Sequence, residues 1–180
     1  MEGILNLERE VLLFFQEMVR NPVLNPVLIL ITTLGNGAVI WVVISLGLLI
    51  PHRMRRTGAT CLLALLVSLL INNLLLKNLV GRVRPYDLLE GLKPLIGRQW
   101  DPSFPSGHTG SSFAAAWVLY RELPKRYGVP ALILAGLIGI SRLYVGVHYP
   151  TDVLFGVISG IGSGWIAMKI MAAVMGRKNQ

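Results

Sequence analysis

Long apolar runs separated by short polar breaks dominate this chain, and most of them show no one-sided amphipathic pattern. No residue between Asn21 and Ile50 is charged, and the 25 residues from Pro26 onward suffice to cross a hydrocarbon layer of roughly 30 Å with some tilt. Thr57 to Leu76 is again free of charge and predicts a second span ending near Val80. Further runs predict a short third span over 105–120, a fourth over 129–146 and a fifth from Pro150 to about Met175. Residues 4–20 differ, because Ile4, Leu5, Val11, Leu12, Phe14, Phe15 and Val19 are interleaved with five charges. That mixture predicts an amphipathic helix lying in the membrane interface. Residues 81–104 hold Gly, Pro and charge at a density no span tolerates, so they form an aqueous loop. On the last span Gly156, Gly160 and Gly164 repeat every four residues, a face on which a neighbouring helix can approach closely. The expected fold is therefore all-α: a polytopic membrane helix bundle of about five transmembrane helices plus the N-terminal interfacial helix, with residues 1–180 as one unit.

Composition agrees and narrows the partners. A chain that is 53% hydrophobic, 14% charged and of mean hydropathy +0.61 is not a soluble domain. The net charge of +8 does not indicate nucleic acid, since the cations sit at the ends of apolar runs; anionic lipid is the better partner. Cys61, the only cysteine, lies inside an apolar run and reads as a small core residue. Glu8, Arg9, Glu10 and Glu17 interrupt the first twenty residues, which argues against a cleavable signal peptide there. Five spans place the N-terminal helix, the 77–105 region and residues 142–152 on one face. Lys and Arg number nine on the opposite face and eight on this one. Setting aside the four cations nearest the candidate chemistry leaves nine against four, so that chemistry faces the extracytoplasmic side of the cell membrane.

The chemistry gathers where charges interrupt the apolar runs. Pro150 suits the first position of a helix, so His148 lies just before that helix and Asp152 in its first turn, where a carboxylate can orient an imidazole four residues back. Pro105-Ser106-Gly107-His108 opens another helix with a proline in its first turn. Helix-start amides there suit an anion, and His108 stands beside them as a proton donor. Lys77 and Arg84 are seven residues apart, two helical turns if the second span continues, and Arg142 ends the fourth span, so three cations share the face of the two histidines. Helix capping and headgroup contact account for any one of these residues, but not for the set. Arg82 is a further candidate phosphate contact or a surface residue. Asp87 and Asp101 are assigned to loop structure, and Asn72 and Asn73 to interhelical hydrogen bonding.

Lys77-(six residues)-Arg84-Pro85, Pro105-Ser106-Gly107-His108 and Ser141-Arg142-(five residues)-His148-(three residues)-Asp152 together resemble the type 2 phosphatidic acid phosphatase superfamily of membrane lipid phosphatases. The three motifs stand intact and in the family's order across residues 77–152. The resemblance implies that His148 attacks phosphorus to form a phosphohistidine, with Asp152 orienting it. It implies that His108 protonates the leaving oxygen, and that Lys77, Arg84, Ser106, Gly107 and Arg142 bind phosphoryl oxygens. Compact bacterial members hydrolyse undecaprenyl diphosphate or phosphatidylglycerol phosphate, and many members have six spans where this chain shows five. Phosphoryl transfer asks mainly for positioned positive charge, a nucleophile and an acid. No carboxylate or cysteine cluster offers a closed metal site, so no metal or other cofactor is expected. Three alternatives share parts of the pattern: a phosphotransferase using the same intermediate, a vanadate-binding haloperoxidase, disfavoured by the membrane-embedded chain, and a non-enzymatic lipid-binding or transport protein. Lipid identity and oligomeric state are not encoded in these motifs.

Overall fold

A computed structural model describes residues 2–176, all of its regular elements helical. Arg177 and Lys178, which entered the charge count, lie outside the described residues. The interfacial stretch forms α1 (Glu2–Phe14), prolonged by a wider π-helical turn over Phe15–Val19. Its inner stripe does not float free. Leu12 is fully buried, and with Leu5, Phe15 and Val19 it packs on Tyr86, Leu92, Tyr144, Val145 and Val147, while Ile4, Leu7 and Met18 stay exposed.

The first predicted span is broken. α2 (Leu24–Leu34) and α3 (Val39–Leu49) meet at an angle of 53° across a one-turn 3-10 segment, Asn36–Ala38. Gly37 and Ala38 there adopt left-handed backbone angles, with φ of 55° and 56°. Hydropathy cannot reveal such a break, because a continuous and an interrupted helix of the same residues are equally apolar.

The second span begins as α4 (Arg55–Ser68), loosens into a π-helical stretch over Leu69–Leu76, and ends as α5 (Lys77–Val80) near the expected residue. Gly81 then turns left-handed with φ 58°, and Arg84 is extended. Lys77 and Arg84 are therefore not two helical turns apart; chain reversal, not helical spacing, brings them together. A short α6 (Pro85–Leu88) follows, with proline opening it.

α7 (Gly107–Glu122) starts after the Ser106 cap, leaving Pro105 outside the helix where the sequence suggested its first turn. At 16 residues it is about 24 Å long, short of a full crossing. It packs against α4, α8 (Lys125–Tyr144) and α9 (Pro150–Gly176), with Ala114, Ala115, Ala116 and Val118 fully buried. A helix enclosed by protein needs neither the length nor the apolar surface that lipid demands. Among the described residues three helical units are long and apolar enough to cross a membrane (His52–Leu88, Lys125–Tyr144 and Pro150–Val174), and the bent α2–α3 pair makes a fourth if taken as one span.

The α9 glycines set the closest contact. A Cβ on Gly160 would stand 2.4 Å from the Gly110 carbonyl oxygen, and one on Gly164 2.8 Å from that of Ala114. Backbone touches backbone, and no side chain can rotate away. Gly160→Ala is therefore expected to force the helices apart at a cost of about 1–3 kcal/mol, read as a lower thermal unfolding midpoint in detergent. Gly162→Ala, whose Cβ would meet nothing within 4 Å, is the control and should be neutral or slightly stabilising. Equal midpoints for the two variants would contradict this packing.

Candidate active site

Two helix starts and two helix ends meet at one level of the bundle. α9 begins at Pro150, placing Asp152 in its first turn, and α7 begins behind Ser106; the Ser106 amide donates to the Asp152 backbone carbonyl at 3.0 Å. Ser106 caps α7, its hydroxyl oxygen accepting from the Thr109 hydroxyl at 2.9 Å, which leaves its own proton to donate elsewhere. α8 ends at Tyr144 with Arg142 in its last turn, and Gly146, at φ 78°, turns the chain back toward His148.

His148 is almost wholly buried. Its Nε2 lies 3.1 Å from Arg84 Nη1. A guanidinium has only donors, so Nε2 accepts, and the neutral ring carries its proton on Nδ1. That Nδ1 faces Asp152 Oδ2 at 3.5 Å, longer than a hydrogen bond and closed by a small ring rotation. Burial first, then the charges of Arg84, Arg142 and Lys77, hold the His148 imidazole well below its ordinary value of 6.5. The ring is neutral at neutral pH, with a lone pair turned toward cations.

Asp152 is boxed in. Oδ2 accepts from the Ser103 hydroxyl and from the Tyr149 amide at 2.9 Å, and Oδ1 accepts from Arg82 Nη1 at 2.7 Å. Arg82 is therefore committed to the carboxylate behind the histidine, and the alternative of a phosphate contact does not fit its geometry. Arg84 also donates to the Val147 carbonyl at 2.8 Å, which fixes it beside the ring.

Asp101, assigned from sequence to loop structure, reaches into the site. Its carboxylate bonds Lys77 through Oδ2 and Arg84 Nη2 through Oδ1 at 2.7 Å, while its backbone carbonyl accepts from Arg84 Nε at 3.0 Å. Partial burial alone would raise the Asp101 carboxyl, but the hydrogen bond and charge of Lys77, with the charge of Arg84, outweigh it and bring it down to about 2. Asp101 is thus an anion held by two of the cations that the motif resemblance gives to phosphate.

His108 lies on the other side. Its Nε2 is 2.8 Å from Asn36 Oδ1, in the broken segment of the first span, and a Cβ on Gly35 would come within 2.8 Å of its ring. Arg142, buried, donates to the Thr32 hydroxyl at 2.6 Å, and its Nε has no hydrogen-bond partner among the described residues. A cavity of about 320 Å³ has a polar end at Lys77, Asp101, Gly107 and His108 and an apolar wall at Val42, Leu65, Leu66 and Leu69. Phe14 and Phe15 do not line it; Phe15 packs edge-on against Tyr144. Among the described residues no group of three His, Cys, Asp or Glu is placed to hold a metal ion.

Sequence reasoning missed Asp101, Ser103, Asn36, Thr32 and Glu8. Glu8 and Asn36 left legible signals: Glu8 occupies the stripe Leu5-Glu8-Leu12-Phe15, a carboxylate on the inward face of an amphipathic helix, and Asn36 stands in Gly35-Asn36-Gly37, a turn signal inside an apolar run.

Comparison with known proteins completes the picture. The profile of the PAP2 superfamily matches residues 58–175. The undecaprenyl-diphosphatase of Sulfolobus acidocaldarius is 29% identical over 147 residues, covering 82% of this chain and 70% of that protein. Phosphatidylglycerophosphatase B of Bacillus subtilis is 34% identical over 157 residues, covering 80% and 73%. Among solved structures, Aquifex aeolicus LpxE superposes with a TM-score of 0.79 at 30% identity, covering 92% of this chain and 94% of that one. With three intact motifs, this fold and these relatives, the chain belongs to the PAP2 superfamily and is a membrane-embedded hydrolase of that type.

Proposed function

We propose that this lipid phosphatase hydrolyses a lipid phosphomonoester or diphosphate through a phosphohistidine on His148, at the extracytoplasmic face of the cell membrane. The whole chain is read as one catalytic unit. The observation that carries the reading is the 3.1 Å approach of Arg84 Nη1 to His148 Nε2, which identifies Nε2 as the unprotonated nitrogen and points it at the cations. In the first step the Nε2 lone pair attacks phosphorus, the bond from phosphorus to the lipid oxygen breaks, and His108 gives that oxygen its proton. Asp152 faces the Nδ1 proton and balances the positive ring. In the second step water attacks phosphorus, the phosphorus–nitrogen bond breaks, and the water proton passes to His108. Lys77, Arg84 and Arg142 stabilise the charge on the equatorial oxygens, with the unpartnered Arg142 Nε a ready donor. Among lipid phosphates the isoprenoid diphosphate and phosphatidylglycerol phosphate named in the relatives are the leading substrates, with phosphatidic acid a further one.

His148→Ala is expected to fall to background turnover, and Asp152→Ala roughly a hundredfold less far, by analogy with nucleophile and orienting carboxylate in a serine-protease triad. An acid-labile, alkali-stable label on the protein from radioactive lipid phosphate would be lost in His148→Ala. Near-native turnover in that variant would overturn the mechanism.

Since Asp101 occupies cations that a phosphoryl group needs, the two anions compete. Asp101→Asn is expected to tighten inhibition by vanadate about tenfold, a loss of competition worth about 1.4 kcal/mol. Unchanged or weaker inhibition would show that the carboxylate supports the cations without obstructing them.

The apolar cavity wall suits a lipid tail, whose remote binding can orient the phosphate. Short soluble phosphomonoesters should therefore give far lower kcat/KM than long-chain lipid phosphates, and equal values would refute access from the bilayer. In intact cells an impermeant thiol reagent should label Glu90→Cys and spare Arg53→Cys in a Cys61→Ser background; the reverse pattern would invert the orientation.

A further inference from the structure

We infer that Glu8, on the interfacial helix α1, is a positioning residue for the nucleophile, acting through Arg82 and Asp152. This rests on the reading of His148 as nucleophile and Asp152 as its orienting partner. Glu10 and Glu17, on the same N-terminal helical segment, are exposed, whereas Glu8 is 3% exposed. Burying a carboxylate is costly unless every oxygen is bonded. Here Oε2 accepts from Arg82 Nη2 at 2.6 Å, and Oε1 accepts from the Thr151 amide at 3.2 Å and from the Thr151 hydroxyl. Arg82 Nη1 in turn donates to Thr151 Oγ1 and Asp152 Oδ1, both at 2.7 Å, and its guanidinium lies 3.7 Å above the Tyr149 ring. Glu8, Arg82 and Asp152 are joined by direct hydrogen bonds, and Asp152 Oδ2 faces His148 Nδ1 at 3.5 Å, so the four groups stand in one line.

Charge gives the line its purpose. Asp152 must offset the positive ring that forms when His148 takes the phosphoryl group. An arginine bonded to that carboxylate orients it but also cancels its charge. Glu8 restores the balance: one cation between two carboxylates leaves a net charge of minus one behind the imidazole, as if Asp152 stood alone but rigidly held. Arg82 thus supplies direction, and Glu8 returns the charge that Arg82 removes. The interfacial helix is accordingly part of the active-site structure and not only a membrane anchor.

The test compares Glu8→Gln, Arg82→Gln and the double variant in the full chain, reconstituted in lipid nanodiscs with a long-chain lipid phosphate. Each single variant is expected to lose about tenfold in kcat with KM within about twofold, because substrate binding is untouched. The double variant again leaves Asp152 as the sole charge behind the ring, so its kcat should exceed the product of the two single losses by about tenfold. If Glu8 merely fastens α1 to the bundle, the losses multiply, appear together with a lower unfolding midpoint, and overturn the proposal. Should Glu8→Gln not fold, Thr151→Val keeps every charge while removing a hydroxyl bonded to both Glu8 and Arg82. Its kcat is expected to fall with KM unchanged, and an unchanged kcat would overturn the proposal. Full activity in Glu8→Gln with none in His148→Ala would sink this inference alone. Activity surviving in His148→Ala would sink the underlying mechanism instead.

Discussion

Glycines on one face of α9 let its backbone ride on that of α7, and the position of the candidate catalytic groups follows from that contact. Gly156 lies under the start of α7, where a Cβ would come within 2.9 Å of the Ser106 carbonyl oxygen, and Gly160 and Gly164 continue the contact below. Two helices this close share a register, so their N-termini arrive together and Ser106 donates to Asp152. In a bilayer no hydrophobic effect drives helix against helix, and close packing of small residues does that work instead. The turn at Ser106 and the backbone at Asp152 are thereby fixed relative to each other before any side chain is considered.

Buried charge is the second constraint. Lys77, Arg84, Arg142 and Asp152 are all nearly inaccessible, and isolated ions there would be prohibitively costly. For Lys77, Arg84 and Asp152 the structure meets that cost by alternating sign. Asp101 sits between Lys77 and Arg84 on the cavity side, and Arg82 sits between Asp152 and Glu8 on the far side. The two arrangements differ in consequence. Asp101 has half-exposed oxygens and is anchored on a loop, whereas Glu8 and Asp152 are sealed.

The break in the first span serves the same site from the other side. Left-handed geometry at Ala38, a residue with a side chain, costs on the order of 1–2 kcal/mol. In return the chain between α2 and α3 presents Asn36 to His108 and opens the cavity that Gly37 and Ala38 help to line. Strain of this kind persists where the surroundings over-determine it.

The sequence alone determined the class of fold, the second, fourth and fifth apolar helices, the glycine face of α9 and the three motifs, because hydropathy and local spacing are properties of neighbouring residues. His148 and Asp152, four apart across a helix start, were legible for that reason. Lys77 and Arg84 were also legible as a pair, though for the wrong geometric reason, since Gly81 ends the helix that was to align them. What only the tertiary structure decided was how the charges are paired. Asp101 and Glu8 reach the site from 24 and 74 residues away from their partners Lys77 and Arg82, and no local pattern encodes which carboxylate will meet which cation. The break at Gly35–Ala38 carries a turn signal in Gly35-Asn36-Gly37, but it lies within an uncharged run long enough to be one span, and only contact with His108 gives the break a purpose. Periodicity reports which face of an element is buried, whereas electrostatic pairing depends on distances between elements, and those are set by packing.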